Sequence, residues 1–367
     1  MEPAEEDYVD VLLERFRDPQ EQQRRLAVRA LARLGRRAVP ALLGVLREED
    51  GPSRRYAAAV FSLTPDPRAI PLLCQALGDV DWEVRREAAL ALKVSAPPEA
   101  AEALLPLLLQ EGHPQVRLIA IDALAAIQAR DPDTRVSHTV WARVIPSLCT
   151  MMASGDWRLQ GAAAELLGML RAVDAVDALW SALGDADLEA ALRITVALGK
   201  IGTSRAIEPL RVALSHPEPE VRAAAAEALG QVGGEEALML LAWALRTRDR
   251  GLQRSAVLAI EHLAITEPSP ALRAVLRPLE KVLMMKYLVL SREDFRLFSR
   301  VLHHIDAATR QFRDLPIPAL TAAHGAQLPL PAGARSNASP GEPSLLAEAG
   351  GLGPRLLRQL VSWRTLF

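Results

Sequence analysis

The clearest pattern runs from Val221 to Gly233, where Arg222 is followed three, seven and ten residues on by Ala225, Leu229 and Val232. Those steps put the apolar residues on one stripe of a helix. The same four marks recur upstream as Arg24-Ala27-Leu31-Leu34, Arg54-Ala57-Phe61-Thr64, Arg85-Ala88-Leu92-Ser95 and Arg117-Ala120-Leu124-Ile127. They continue as Gln160-Ala163-Leu167-Leu170 and Ala191-Ile194-Leu198-Ile201, and downstream as Gln253-Ala256-Ile260-Leu263. Successive first marks lie 30, 31, 32, 43, 31, 31 and 31 residues apart. A fixed period of this length predicts a stack of supersecondary units, here helical hairpins. The small residue lets a neighbouring helix come close, and the larger ones fill the groove between helices.

The second helix of each unit is clearest in Ala69-Ile70-Pro71-Leu72-Leu73-Cys74-Gln75-Ala76-Leu77. It recurs from Ala38 to Leu42, from Val144 to Leu148 and from Ala206 to Leu210. Proline fits a first turn because the N–H it lacks is unpaired there anyway. Asp, Pro and Gly separate the hairpins, as in Gly78-Asp79-Val80-Asp81, Gly112-His113-Pro114, Gly184-Asp185-Ala186-Asp187 and His216-Pro217-Glu218-Pro219. Acidic residues in these turns can cap the next first helix and suit its positive end. The one long interval holds about twelve extra residues, Gln128 to Thr139, in the connection between the helices of the fourth unit. Insertions in repeat arrays map to loops on one face; a tolerated surface loop is the favoured reading, a binding loop the other.

These units resemble HEAT repeats, particularly the short bacterial type first noted in phycobilisome lyase subunits. Glu220 to Gly233 carries that motif almost whole, and Asp81 to Leu92 carries it well. The resemblance covers residues 18–285. It implies an all-α fold, a right-handed α-solenoid of about eight hairpins. It also implies that the second helices line the concave side. The Arg mark departs from the motif at Gln160, Ala191 and Gln253.

Beyond the repeats the pattern changes. Residues 1–17 are expected to form an N-terminal capping helix, and 286–315 a C-terminal one that begins near Ser291-Arg292-Glu293-Asp294. A stripe of Phe295, Phe298, Leu302 and Ile305 is expected to cover the last hairpin, as a repeat stack requires for solubility. Residues 316–354, rich in Pro, Gly and Ser, read as a disordered linker. Residues 355–367 read as a short amphipathic helix with Leu356, Leu360, Trp363 and Phe367 on one face and Arg355, Arg358 and Arg364 adding charge. Three uses are open to it: docking on its own stack, filling a partner's groove, or weak peripheral contact with an anionic membrane.

Composition narrows the function. Aromatic residues make up 4% of the 367, so Ala, Leu and Val must build the core. The formal net charge of −2 provides no basic field for nucleic acid. Arginines number 39 against four lysines, and Asn337 is the only asparagine, as a GC-rich genome or a hot habitat produces. The acidic N-terminus has no apolar signal region, and no long uncharged apolar run occurs, so a cytoplasmic protein is expected. No phosphate loop, nucleophile elbow, H-E-x-x-H or paired C-x-x-C is present, so neither metal nor cofactor is expected. Cys74 and Cys149 fall at equivalent places two repeats apart, too distant for a disulfide. The alternation in Glu83-Val84-Arg85-Arg86-Glu87 reads as pairing along one helix surface.

The leading function is a non-catalytic scaffold or adaptor that binds a protein or peptide. Trp180 and Arg211 each follow the buried Leu of a second helix, with Trp243 one place further on. Together they either form a concave binding patch, since Trp and Arg are favoured interface anchors, or the tryptophans fill gaps between layers. Trp82 and Trp157 open first helices and read as packing residues. Two alternatives follow from family likeness alone: attachment of a chromophore, as phycobilin lyases do, and DNA binding, as in HEAT-like alkylpurine glycosylases.

Overall fold

The computed structural model describes residues 3–312 except 49, 131, 133–135 and 286–290, and among them there are helices and no strands. A leading helix, α1 (Pro3–Glu14), precedes eight hairpins. The first four are α2 (Glu21–Leu34) with α3 (Val39–Glu48), α4 (Gly51–Leu63) with α5 (Ile70–Ala76), α6 (Trp82–Ser95) with α7 (Ala100–Gln110), and α8 (Pro114–Arg130) with α9 (His138–Met152). The last four are α10 (Trp157–Met169) with α11 (Val176–Leu183), α12 (Leu188–Ile201) with α13 (Ile207–Ala213), α14 (Pro219–Val232) with α15 (Gly234–Ala244), and α16 (Arg250–Thr266) with α17 (Arg273–Met285). A closing helix, α18 (Arg292–Thr309), packs on α16 and α17. The tail from residue 316 onward, including the amphipathic segment, lies outside the described residues.

The turns start the helices as their chemistry requires. Asp50, Asp81, Asp156, Asp187 and Asp249 are N-caps whose carboxylates accept backbone N–H bonds from Ser53, Glu83, Arg158, Ala190 and Leu252. Gly233 ends α14 with a φ of 73°, a conformation that favours glycine.

The marks then pack the stack. Every second and third mark, from Ala27 and Leu31 to Ala256 and Ile260, is buried. Successive first helices come into close contact where glycine follows the third mark. A Cβ at Gly168, Gly199 or Gly230 would stand within 3.0 Å of Ala197, Ala228 or Ala259 on the next first helix. The small residues are therefore a steric requirement of the layer spacing.

At six hairpins the first mark, Arg24, Arg85, Arg117, Gln160, Arg222 or Gln253, ties the hairpin to the turn that precedes it. Arg85 donates to the carbonyls of Asp79 (2.8 Å) and Val80 (3.0 Å), and Arg222 to those of His216 (2.8 Å) and Pro217 (2.7 Å). The two glutamines that break the Arg pattern do the same. Gln160 Nε2 donates to Ser154 (2.6 Å) and Met152 (3.0 Å), and Gln253 Nε2 to Thr247 (2.6 Å) and Leu245 (2.9 Å). Where the mark is Arg or Gln, its side-chain N–H groups can make this bond; Ala191 has none to offer.

Three Arg marks also reach forward to a carboxylate in the next inter-repeat turn. Arg54 meets Asp79 at 2.7 Å, Arg85 meets Glu111 at 2.6 Å and 2.9 Å, and Arg222 meets Asp249 at 2.6 Å and 2.8 Å. Charge pairing thus runs largely between repeats rather than along one helix. Arg55–Glu83, Lys93–Asp122, Arg193–Glu165 and Arg205–Asp177 extend the same scheme.

At the far end, Phe298 and Ile305 are buried as the stripe requires, but Val301 sits between them and Phe295 and Leu302 are only half-buried. The buried face of α18 is rotated by about one residue from the expected stripe.

Candidate functional site

The second-helix row presents the candidate anchors. Leu73, Leu148, Leu179, Leu210 and Leu241 are buried and fix its register. The residue after each of the first four turns partly or wholly outward. Trp180 on α11 is 43% exposed. Arg211 on α13 is half-buried and holds Glu208, with Nε 2.8 Å from Oε2; the arginine's hydrogen bonds pull the Glu208 carboxyl below its usual range. Trp243 on α15 is half-buried. The three therefore stand on successive second helices of one row. Leu356, Leu360, Trp363 and Phe367 lie outside the described residues.

The tryptophans that open first helices differ from each other. Trp82 stacks on His113, with ring centroids 4.0 Å apart and planes 5° apart. Trp157 is 43% exposed, with the Arg158 guanidinium 5.1 Å over its ring, so it is not the packing residue its place suggested.

Departures from the repeat concentrate on the fourth hairpin. The twelve extra residues do not simply form a loop. They lengthen α8 to 17 residues and add the first turns of α9, which has 15 residues where α11 has 8 and α13 has 7. Pro146, expected in a first turn, consequently lies inside α9. Helix α9 begins ten residues before its buried Leu148, whereas the 3-10 turn Val173–Ala175 that leads directly into α11 begins six before Leu179, so about one turn of α9 overhangs its neighbour. Beside α9 lies a cleft of about 660 Å³, bordered by Gln128, Trp141, Ile145, Cys149, Leu170 and Asp174.

Seven buried side-chain polar atoms lack a hydrogen-bond partner among the described residues. Five belong to this hairpin or the turns that bound it: His113 Nδ1, Arg117 Nε, Gln128 Oε1, Trp141 Nε1 and Ser154 Oγ. Such atoms are rare in well-packed regions. The sequence offered one signal for this cluster, the irregular spacing at residues 117 to 160.

Neither thiol is poised for chemistry. Burial and then the Glu99 charge push the Cys74 thiol up, and burial and then Asp174 do the same at Cys149, so both stay protonated near neutrality. No described helix is long and apolar enough to cross a membrane.

These features define an all-α repeat scaffold, and comparison with known proteins gives its family. The model for HEAT repeats matches residues 9–93, 45–125, 101–193, 145–214 and 181–261, so the chain belongs to the HEAT-repeat family. No curated protein matches it in sequence. A crystal structure of an engineered protein is similar at 23% identity and a TM-score of 0.54, over 83% of this chain and 90% of that one. YibA of Escherichia coli is similar at 15% identity and a TM-score of 0.49, over 79% and 98%. The complex of CpcE and CpcF of phycocyanin lyase from a Nostoc species is similar at 23% identity and a TM-score of 0.39, over 65% and 94%. Identities this low concern the fold alone.

Proposed function

We propose that the chain is a non-catalytic scaffold that holds a protein or peptide partner across its second-helix row, with Trp180, Arg211 and Trp243 as anchors and the C-terminal face of Leu356, Leu360, Trp363 and Phe367 as an auxiliary contact. The observation that carries this reading is Trp180. A large ring 43% exposed on a regular helix, with no ring or cation against it among the described residues, is an unspent anchor. Arg211 stands at the same register one hairpin on, its guanidinium already oriented by Glu208.

The test is cross-linked co-purification from native lysate with the full chain, a Trp180→Ala/Trp243→Ala variant and a chain ending at Gly353. One partner should be retained by the full chain and fall at least about tenfold with the double variant, as loss of two aromatic anchors implies. Unchanged capture by the double variant, combined with loss on truncation, would move binding to the tail. A blank from all three would remove the scaffold reading.

A further inference from the structure

We propose that the exposed faces of α1 and α2 form a two-fold interface between two copies of this chain, with α1 of each copy seated on α2 of the other. The second-helix row takes no part in it.

Helix α2 turns a basic stripe to solvent. Gln22, Arg25, Arg29 and Arg33 are exposed along it, and Leu26 beside them is 46% exposed. The three arginines follow one another at i, i+4 and i+8, about 6 Å apart along the axis. Arg25 is held by Glu21 at 2.9 Å, yet its side chain is 71% exposed. Arg29 and Arg33 meet no carboxylate among the described residues.

Helix α1 carries the opposite charge. Val9 and Leu12 are buried on one narrow side. On the broad side that remains, Tyr8, Asp10, Val11 and Glu14 are exposed, Tyr8 at 52% and Val11 at 49%. Asp10 and Glu14 stand at i and i+4, the same spacing of about 6 Å. Neither meets a cation among the described residues. Helix α1 packs on α2, yet these carboxylates and the free guanidinium groups do not pair with one another within the chain.

The first end of the stack therefore offers unspent carboxylates on one helix and unspent guanidinium groups, at equal spacing, on the helix beside it. A surface that carries both signs side by side is complementary to itself turned through 180°. In that arrangement Asp10 and Glu14 of each copy meet Arg29 and Arg33 of the other, and the exchange occurs twice. An acidic peptide or a nucleic-acid backbone would satisfy the arginines but would set its own charge against Asp10 and Glu14. Exposed ion pairs each contribute little, so Tyr8, Val11 and Leu26 must supply the apolar burial, while the charges fix register and partner.

Sedimentation velocity on the full chain is the test. In about 50 mM salt, where exposed charges are weakly screened, the mass should rise with concentration from 39.9 kDa to twice that, with a dissociation constant on the order of 10 µM. In about 1 M salt that constant should increase at least about tenfold. Arg29→Glu with Arg33→Glu makes both stripes acidic, and Asp10→Arg with Glu14→Arg makes both basic. Each double variant should remain monomeric at about 100 µM, because like charges then face each other. Mixed in equal amounts, the two should dimerise as the parent does, since every acidic stripe then meets a basic one. A chain with all four changes should also dimerise, its stripes exchanged. Circular dichroism equal to the parent's confirms that each variant is folded. A parent chain that stays monomeric at about 100 µM overturns the proposal and leaves the stripes to a different protein. A dimer that survives both reversals overturns it by placing the contact elsewhere, and so does a mixture that stays monomeric.

Discussion

Arg85 and Arg117 hold the same place in consecutive first helices, yet their junctions differ. Arg85 grips the carbonyls of the turn behind it and, ahead, the Glu111 carboxylate, whose side chain is 3% exposed. Arg117 also reaches back, to the Glu111 carbonyl. Ahead of it, six residues before the next mark, stands Ser154, where the two preceding junctions have Asp79 and Glu111. No carboxylate meets Arg117 among the described residues, and its Nε and the Ser154 hydroxyl are both unpaired. The regular junction is a half-buried ion pair that locks one hairpin to the next. The irregular one gives up that lock where the insertion makes a cleft. The lock is present at the junctions of Arg54, Arg85 and Arg222.

The largest effect should come from breaking the regular junction. Arg85→Ala leaves the Glu111 carboxylate buried without its cation, and the stack should lose about 3–5 kcal/mol in urea unfolding. Arg117→Ala removes a hydrogen bond but strands no carboxylate, so it should cost about 1 kcal/mol. Equal losses at the two sites would dissolve the contrast. Gly199→Ala comes next. Its Cβ would stand 2.7–2.8 Å from Ala228, and forcing two first helices apart should cost about 1–3 kcal/mol. Ser154→Glu should convert the irregular junction to the regular kind and stabilise the stack by about 1 kcal/mol relative to Ser154→Gln, a gain that shrinks in high salt if the new pair stays exposed.

The smallest effect is a pH dependence at the N-terminal end. Hydrogen bonds from Arg24, Tyr56 and Arg25 hold the Glu21 carboxyl down at about 2. A carboxyl depressed by folding adds stability above its unfolded pKa, and that stability is lost as pH falls toward the folded value. Glu21→Gln should therefore destabilise the first two hairpins at neutral pH and become silent near pH 2. A difference from the parent chain that stays constant down to pH 2 would show that the bonds to the ionised form do not contribute.

The repeat was legible because its steric demands are local. Ala27 through Leu263 had to fall on one helical stripe, and the eight hairpins followed from that stripe and its period. The function of the first mark was less visible, because Gln160 and Gln253 differ from Arg in charge yet bond the same carbonyls. The cross-repeat ion pairs were hidden for a related reason. Arg85 lies near Glu83 and Glu87 in sequence, but its rotamer takes it to Glu111 on the next turn. The overhang of α9 was obscured by Pro146, which mimics a helix start. Trp157 misled because a ring at a helix N-terminus can stack inward, as Trp82 does on His113, or lie outward under an arginine.

The most direct test of the scaffold reading is photo-cross-linking from the two rows of the stack. A benzophenone side chain is placed at position 180 on α11 or at position 63 at the end of α4, where Leu63 is also exposed. Irradiated in native lysate, the probe at position 180 is expected to give one dominant protein adduct, and the probe at position 63 none of that mass. The same adduct from position 63 and nothing from position 180 would place the partner on the first-helix row and contradict the assignment of Trp180, Arg211 and Trp243 as its anchors.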